Sequence, residues 1–417
     1  MIATLAAAVL VVSACTRRGG GGGPTPPTTT PISTYYVDPV KGSDTTGDGS
    51  ASKPYKTITK ALKVVRASTT TGLTISLKAG VYNGRSGEIF PIVVPTGVVI
   101  AGNGYGRGPG RGSFINGTGE DTTLEKALGK PTKTLYTTIE IPSSVTSVSL
   151  DQLYVGAPGV LATGASYNSV DVLGTLNSSH VTFAAGSYGS AVGGVIVPSG
   201  TLTCAACVIT GGNYAVEALS VSGASPPTVV LQGPGQSIVG GKGDGIRTDG
   251  TANINVSNQA FESQNYAYSD SLVPVASTSA SPTPASTASP TTSPSSSPTT
   301  GPYGGVVDFG YGGNGSLGGN SLIGAKSEFF VTTSGAVITA FGNTWNASPA
   351  PGTQGANIHG QFPRRKSFGP GARGRNVTIA TTATGAVVMV GPAPPPTPTP
   401  SPTPYGSASP SPSASPT

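Results

Sequence analysis

The feature that most constrains this chain is a spacing. An apolar anchor recurs with inward-type positions five and seven residues after it. Val148 leads to Leu153 and Val155, Leu176 to Val181 and Phe183, Leu202 to Cys207 and Ile209, and Leu231 to Gln236 and Ile238. Ile254 leads to Gln259 and Phe261, and Ile338 to Asn343 and Trp345. The anchors lie 28, 26, 29, 23 and 84 residues apart, and the widest gap holds a Pro/Ser/Thr-rich stretch and one further unit near Leu317 and Leu322. A period of about 25 residues, with strand alternation and Gly/Asn/Ser corners, is one coil of a β-solenoid. A single coil cannot bury its inner face, but stacked coils share one column of side chains. The expected fold class is therefore all-β, a parallel β-helix. The other architecture of similar period, a leucine-rich horseshoe, needs an asparagine-containing Leu signature that is absent.

Composition agrees with stacking rather than with a helical globule. Charged residues make up 10% of the 417, against roughly 25% in an ordinary soluble domain, while 62 Gly and 38 Pro supply turns. The net charge of +6 is partly concentrated in Arg364, Arg365, Lys366, Arg373 and Arg375. Such a run reads first as a solvated loop and second as a contact for an anionic polysaccharide or headgroup. No nucleic-acid-binding signature is present.

Residues 2 to 14 form an apolar Ala/Val-rich run of 13, too short for a bilayer that needs about 20. It fits the core of a signal peptide. The run ends in Val12-Ser13-Ala14-Cys15, which resembles a bacterial lipobox, so Cys15 is the expected lipidation site after cleavage at 14. Residues 15–33 then read as a Gly/Pro/Thr tether. This address predicts an exported protein, lipid-anchored at the cell envelope or surface, with the membrane as a partner.

The β-helix domain is expected over 34–391. Two Pro/Ser/Thr-rich segments, an insertion at 275–302 and a tail at 392–417, lack the apolar content to offset ordering entropy and are expected to be disordered. The body opens with Tyr35-Tyr36-Val37-Asp38, then a turn-rich loop, then a short helix in which Ile58, Ala61, Leu62 and Val65 share one face. Placed before the first coil, that helix would cap the open end of the column. Strand-like runs follow at 73–77, 81–82, 92–94 and 98–101.

Several opening motifs are specific. They are Tyr36-Val37-Asp38, Gly42-Ser43-Asp44, Gly47-Asp48-Gly49-Ser50, Pro54-Tyr55-Lys56-Thr57-Ile58 and Ala61-Leu62, followed by Leu77-Lys78-Ala79-Gly80-Val81-Tyr82 and by Glu88 to Val98. Together they resemble the N-terminal cap and first coils of the family catalogued as domain of unknown function 1565. Val307-Asp308-Phe309-Gly310 with Gly319-Asn320, and Gly342 to Asn346, are similar to its late coils. The resemblance implies a right-handed β-helix like that of pectate lyases, on exported and often lipid-anchored bacterial proteins. It implies no established activity, so it transfers no catalytic residues, and likeness of fold is not evidence of chemistry.

Read for chemistry, the residues offer little. A lyase of this fold would need carboxylates holding Ca²⁺ on adjacent coils with a basic residue nearby. Asp171, Asp249 and Asp308 fall at different offsets, and the third position after each anchor reads Asp151, Ser179, Ala205, Pro234, Ser257 and Phe341, which is no acidic ladder. The densest cluster is Lys242, Asp244, Arg247 and Asp249, read as a loop with acid/base potential or simply as Asp-Gly turns. Asp38, Asp44 and Asp48 share the cap loop, where they would either hold a structural cation such as Ca²⁺ or bind local backbone amides. No other cofactor is expected. Cys204 and Cys207 are expected to pack in the core, with a local disulfide as the alternative and redox work as the remotest reading. Of the two histidines, His180 falls at the corner between two strands and His359 stands in no motif. The expected function is a non-catalytic module that contacts polysaccharide or a surface protein. A polysaccharide lyase or glycoside hydrolase acting on acidic glycans is the first alternative, and a structural spacer the second.

Overall fold

The computed structural model describes residues 33–344, with breaks at 67–71, 105–111, 130–132, 157–164, 185–191, 242, 264–265, 271–304, 311, 313–314, 323–326 and 332–335, and beyond them the strands Asn357–Ile358, Thr378–Ile379 and Val387–Gly391. The signal run, Cys15, most of the tether, the Pro/Ser/Thr insertion and tail, the basic run at 364–375 and Trp345 lie outside the described residues.

The chain is a right-handed parallel β-helix with three faces. The first face runs through Thr34–Val37, Leu73–Leu77, Val98–Ala101, Val148–Asp151, Thr175–Ser179 and Thr201–Ala205. It continues in the leading halves of Thr228–Gly241 and Asn253–Ser263, then in Val307–Gly310, Val337–Phe341 and Val387–Gly391. The second face follows after a corner, from Gly80–Tyr82 through Ser113–Asn116, Tyr154–Gly156, Thr182–Ala184 and Val208–Gly211; the corner is one residue in the coils of Val148, Leu176 and Leu202 and longer in the first coils. The third is a separate sheet that includes Leu135–Ile141, Ser166–Val172, Val192–Pro198, Tyr214–Leu219, Asp244–Thr248 and Tyr266–Ser269. The coil-to-coil pairings are parallel, as a crossover wound always in the same sense requires. Antiparallel pairing occurs at Gly119–Glu120 and Asn357–Ile358.

The first and second faces bury alternate residues, the third buries nearly every residue, and like lies over like. On the third face Ile139, Val170, Val195, Val216 and Ile246 stack in register and are fully buried. On the second, Ile115, Val155, Phe183, Ile209, Val239 and Phe261 do the same. Leu153, Val181 and Cys207, the positions five after their anchors, are all buried between these faces. Ring contacts of 5.1 to 6.1 Å among Phe261, Tyr268, Phe309 and Phe329 fill the column in the later coils.

One expected coil is shifted. The residue stacked on Leu202 and Ile254 is Val229, not Leu231, which pairs instead with Cys204 and Val256. In this coil the corner between first and second faces is three residues longer than in the next, between Gln232 and Ser237. Residues 233–236 form that longer corner, so counting from Leu231 places Gln236 and Ile238 where Ser237 and Val239 belong. The further unit near Leu317 and Leu322 is present, with Val307 as its anchor and Leu322 buried.

The helix Ile58–Arg66 buries Ile58, Ala61, Leu62 and Val65, as its periodicity predicts, and these join the main core. Its N-terminal amides are held tightly. Thr57 Oγ1 accepts from Lys60 N, Asp44 Oδ1 from Lys56 N and Thr57 N, and Glu88 from Ile58 N at 2.7 Å and Thr59 N at 3.0 Å. A second helix, Thr122–Ala127, was not expected. Its N-cap is Asp121, which accepts from Leu124 N at 2.8 Å. Among the described residues no helix is long and apolar enough to cross a membrane.

Candidate functional site

Two regions place chemistry-bearing side chains together. One is the outer side of the first face. Residues two apart along each strand point outward, and the register stacks Thr175, Thr201 and Thr228 in one row. The neighbouring row is Ser149, Asn177, Thr203 and Val230, and the next Asp151, Ser179, Ala205 and Gln232. All eleven are exposed or half-buried. Rungs of a sheet repeat at about 4.8 Å, so hydroxyl and amide groups recur along the axis at that step. Asp151 is the one charged member of these rows. The third-position row therefore carries Gln232 where the shifted count gave Pro234, and it remains free of an acidic ladder.

The corner beside these rows is a row of its own. Gln152, His180, Ala206 and Asn258 have φ of 51°, 52°, 54° and 54°, and Gly342 has 69°. Each stands four residues after its anchor. His180 thus occupies the strand-to-strand corner that the sequence assigned to it, and its Nδ1 lies 2.8 Å from Ser179 Oγ.

The second region is the outer side of the third face. Here Glu140, Asp171, Ile196, Glu217 and Arg247 occupy one register position on successive rungs. Glu217 and Arg247 form an ion pair through Glu217 Oε2, with Arg247 Nε at 2.9 Å. The Arg247 guanidinium also stands 4.7 Å over the Tyr214 ring, whose hydroxyl donates to Asn168 Oδ1 at 2.7 Å. Burial raises the Glu217 carboxyl even so, with Arg247 opposing the shift.

Further along the row the carboxyls have no cation. Asp171 is fully buried, and neither of its oxygens, nor Asp121 Oδ2, has a hydrogen-bond partner among the described residues. The buried Asp121 and Asp171 carboxyls are near enough to act on each other's protonation, and Glu140, one rung from Asp171, acts on both. Burial pushes Asp121 up to about 6, with repulsion from Glu140 and Glu125 adding to the shift and the interaction with Asp171 opposing it. Burial pushes Asp171 well above the usual carboxylate range, and the neighbouring Asp121 and Glu140 carboxyls add to that shift. Carboxyls do converge across coils, then, but out of contact with solvent and so out of reach of a polymer.

The residues singled out from sequence are dispersed. Asp244 to Thr248 is a strand of the third face, not a loop, because Ile246 fits the column between Val216 and Tyr268. Asp244 opens that strand and is buried. Asp249 makes the turn that follows, accepting from Thr251 N, Thr251 Oγ1 and Ser220 N. Lys242 lies outside the described residues. In the cap loop, Asp38 accepts from Val40 N and Lys41 N, Asp48 from Ser50 N, and Asp44 caps the helix. Among the described residues no three His, Cys, Asp or Glu side chains are grouped to hold a metal ion. Cys204 and Cys207 form a disulfide inside the column, the alternative rather than the expected reading. Their separation of three residues spans the left-handed Ala206 corner, which turns both side chains inward.

Sequence reasoning missed the row from Glu140 to Arg247. The spans between third and first faces differ in length, so these residues stand at no fixed distance from the anchors: Asp171 is five before Leu176, and Glu217 twelve before Val229.

Among solved structures, the chain is similar to the native GH136 lacto-N-biosidase from Eubacterium ramulus, at 11% identity and a TM-score of 0.34, over 73% of this chain and 57% of that one. The chain thus spans little more than half the length of that protein. The selenomethionine derivative of the same enzyme gives 12% identity and a TM-score of 0.29, over 74% and 60%. A rhamnogalacturonan lyase gives 13% and 0.25, over 74% of each chain. No curated protein sequence matches. The stretch from the cap loop into the coil of Val148, residues 40–149, matches the family model described as protein of unknown function, DUF1565.

Proposed function

We propose that this protein is an exported lipoprotein, anchored through Cys15, whose β-helix body binds an uncharged, repeating polysaccharide without cleaving it. The observation that carries this reading is the array on the first face. Thr175, Thr201 and Thr228, with Ser149, Asn177 and Thr203 beside them, present donors and acceptors at one step along the sheet. A polymer with hydroxyls on every unit offers matching partners along that step. The near absence of charge in the rows disfavours an acidic glycan, which would seek cations. Short side chains lose little rotamer freedom on contact, so many weak hydrogen bonds add without a large ordering cost.

The test is co-sedimentation of the full chain with insoluble neutral and acidic polysaccharides, with and without Ca²⁺. Retention on a neutral polymer, lost at least about tenfold in Thr201→Arg and Thr203→Arg, supports the reading. Both side chains point outward, so folding is expected to survive. Retention on none of the polymers would leave a spacer. Unsaturated or shortened products would make the body a lyase or hydrolase. The anchor is checked separately: Cys15→Ser should move the protein from the membrane fraction to the soluble one.

A further inference from the structure

The segment between the second-face strand Ser113–Asn116 and the third-face strand Leu135–Ile141 leaves the coil and folds over the outside of the third face. It pairs Gly119–Glu120 against Tyr136 and Thr137, then forms the helix Thr122–Ala127. Leu124 and Leu128 pack on Leu135, Ile196 and Leu219, an apolar cluster separate from the main column. Leu124 is the only buried residue of the helix, so the helix itself has little apolar area holding it down. Its other attachments are polar: Asp121 N donates to Leu135 O at 2.8 Å, Leu135 N to Glu125 Oε1 at 2.9 Å, and Thr138 Oγ1 to Gly117 O at 2.7 Å. Asp121 caps the helix with one oxygen, and its other oxygen is buried without a partner among the described residues, near the equally unpartnered Asp171.

We propose that residues 117–128 form a lid over the third face, latched by a proton shared between Asp121 and Asp171, and that the lid opens as the pH rises. Two neighbouring, fully buried carboxyls, with no donor from the described residues on three of their four oxygens, are compatible with burial only if at least one is protonated. The titratable groups around the pair are Glu125 on the helix, Glu140 one rung away and Tyr214 two rungs away, and none of them is a cation. Opening exposes the pair to water, where carboxyls titrate near ~4. The closed lid therefore binds more protons than the open one from about pH 4 upward, through the closed-state values. By linkage, raising the pH across that window favours opening. The consequence is a switchable surface. At acid pH the lid covers the carboxyls, and at neutral pH the outer side of the third face presents Asp171 and Glu140 on adjacent rungs.

The experiment is hydrogen exchange on the full chain at pH 5 and pH 8, corrected for intrinsic amide rates, comparing 119–128 with 166–219. In the native protein the opening constant of 119–128 should rise at least about tenfold, and clearly more than that of the sheet amides, which follow only the change in stability of the body. In Asp171→Asn the amide supplies the missing donors, and the rise should fall below about twofold. Asp121→Asn, which keeps an N-cap of equal quality, should do the same and serves if the first variant fails to fold. Equal protection at both pH values in the native protein, or a tenfold rise that persists in both variants, would overturn the proposal.

Discussion

Gln152 and His180 occupy the same corner of adjacent coils with nearly the same left-handed backbone, φ of 51° and 52°. The corner needs that conformation whichever residue fills it, because the strand must turn from the first face to the second within one residue. Only Gly and Asn take it readily, and other side chains crowd the following carbonyl at a cost of roughly 1–2 kcal/mol. Gln152→Gly and Ala206→Gly should therefore stabilise the body by up to about 1 kcal/mol each, after the entropy that Gly loses on folding. Ala206→Val should destabilise it. Thermal unfolding of the single variants measures both directions.

The column predicts local damage. Leu153→Ala should cost about 2–5 kcal/mol and Phe183→Ala about 3–5 kcal/mol, since both are fully buried. A solenoid transmits such a loss mainly to its neighbouring coils. Hydrogen exchange should accelerate in the strands from Val148 to Gly211 and change little at Leu73–Leu77. Uniform acceleration along the whole body would contradict the stacked-coil arrangement.

Stability should fall as pH rises above about 4. Glu88, Asp121, Asp171 and Glu217 all have carboxyls raised by burial in the folded chain. A carboxyl whose folded value is raised gives up its proton more readily when unfolded, so its contribution is greatest in acid and is lost as pH climbs toward the folded value. For Asp121 that window runs from the ordinary value near ~4 to about 6. Unfolding temperatures at pH 5 and pH 7.5 should show the acidic sample as the more stable, and Asp171→Asn should narrow the difference.

The Cys204–Cys207 bridge should matter little to global stability. It closes a loop of a few residues, for which chain entropy contributes only about 2 kcal/mol. Both sulfurs are buried, so reduction in the folded state should be slow. Rapid, reversible reduction by a mild dithiol at room temperature would instead favour redox work.

The capping carboxylate has a larger expected effect. Glu88 takes hydrogen bonds from Ile58 N, Thr59 N and Thr59 Oγ1, and it is buried. Glu88→Ala removes a charged acceptor from amides that have no water to replace it, at a cost of about 1–3 kcal/mol per orphaned donor. Faster exchange of the amides of the helix Ile58–Arg66, and of the first strands it covers, is the readout.

The sequence by itself determined the winding. Leu153, Val181, Cys207 and Phe261 must be buried once the five-and-seven spacing is granted, because a strand places every second residue on one side and a one-residue corner shifts that alternation by the same one position in each coil. The capping helix was legible for a similar reason: Ile58, Ala61, Leu62 and Val65 obey a period internal to one element. Where a corner lengthens, as between Gln232 and Ser237, the local count slips and only the backbone pairing of neighbouring coils restores it.

Tertiary structure alone decided what faces what across coils. Glu140, Asp171, Glu217 and Arg247 share a row because hydrogen bonds between rungs fix their register, while the spans that separate them in sequence differ in length. The meeting of Asp121 with Asp171 depends further on a helix that leaves the coil and returns over another face. The pattern along the chain records which side of a strand is buried. It does not record loop lengths as distances, so contacts between charges far apart in sequence emerge only when the coils are stacked.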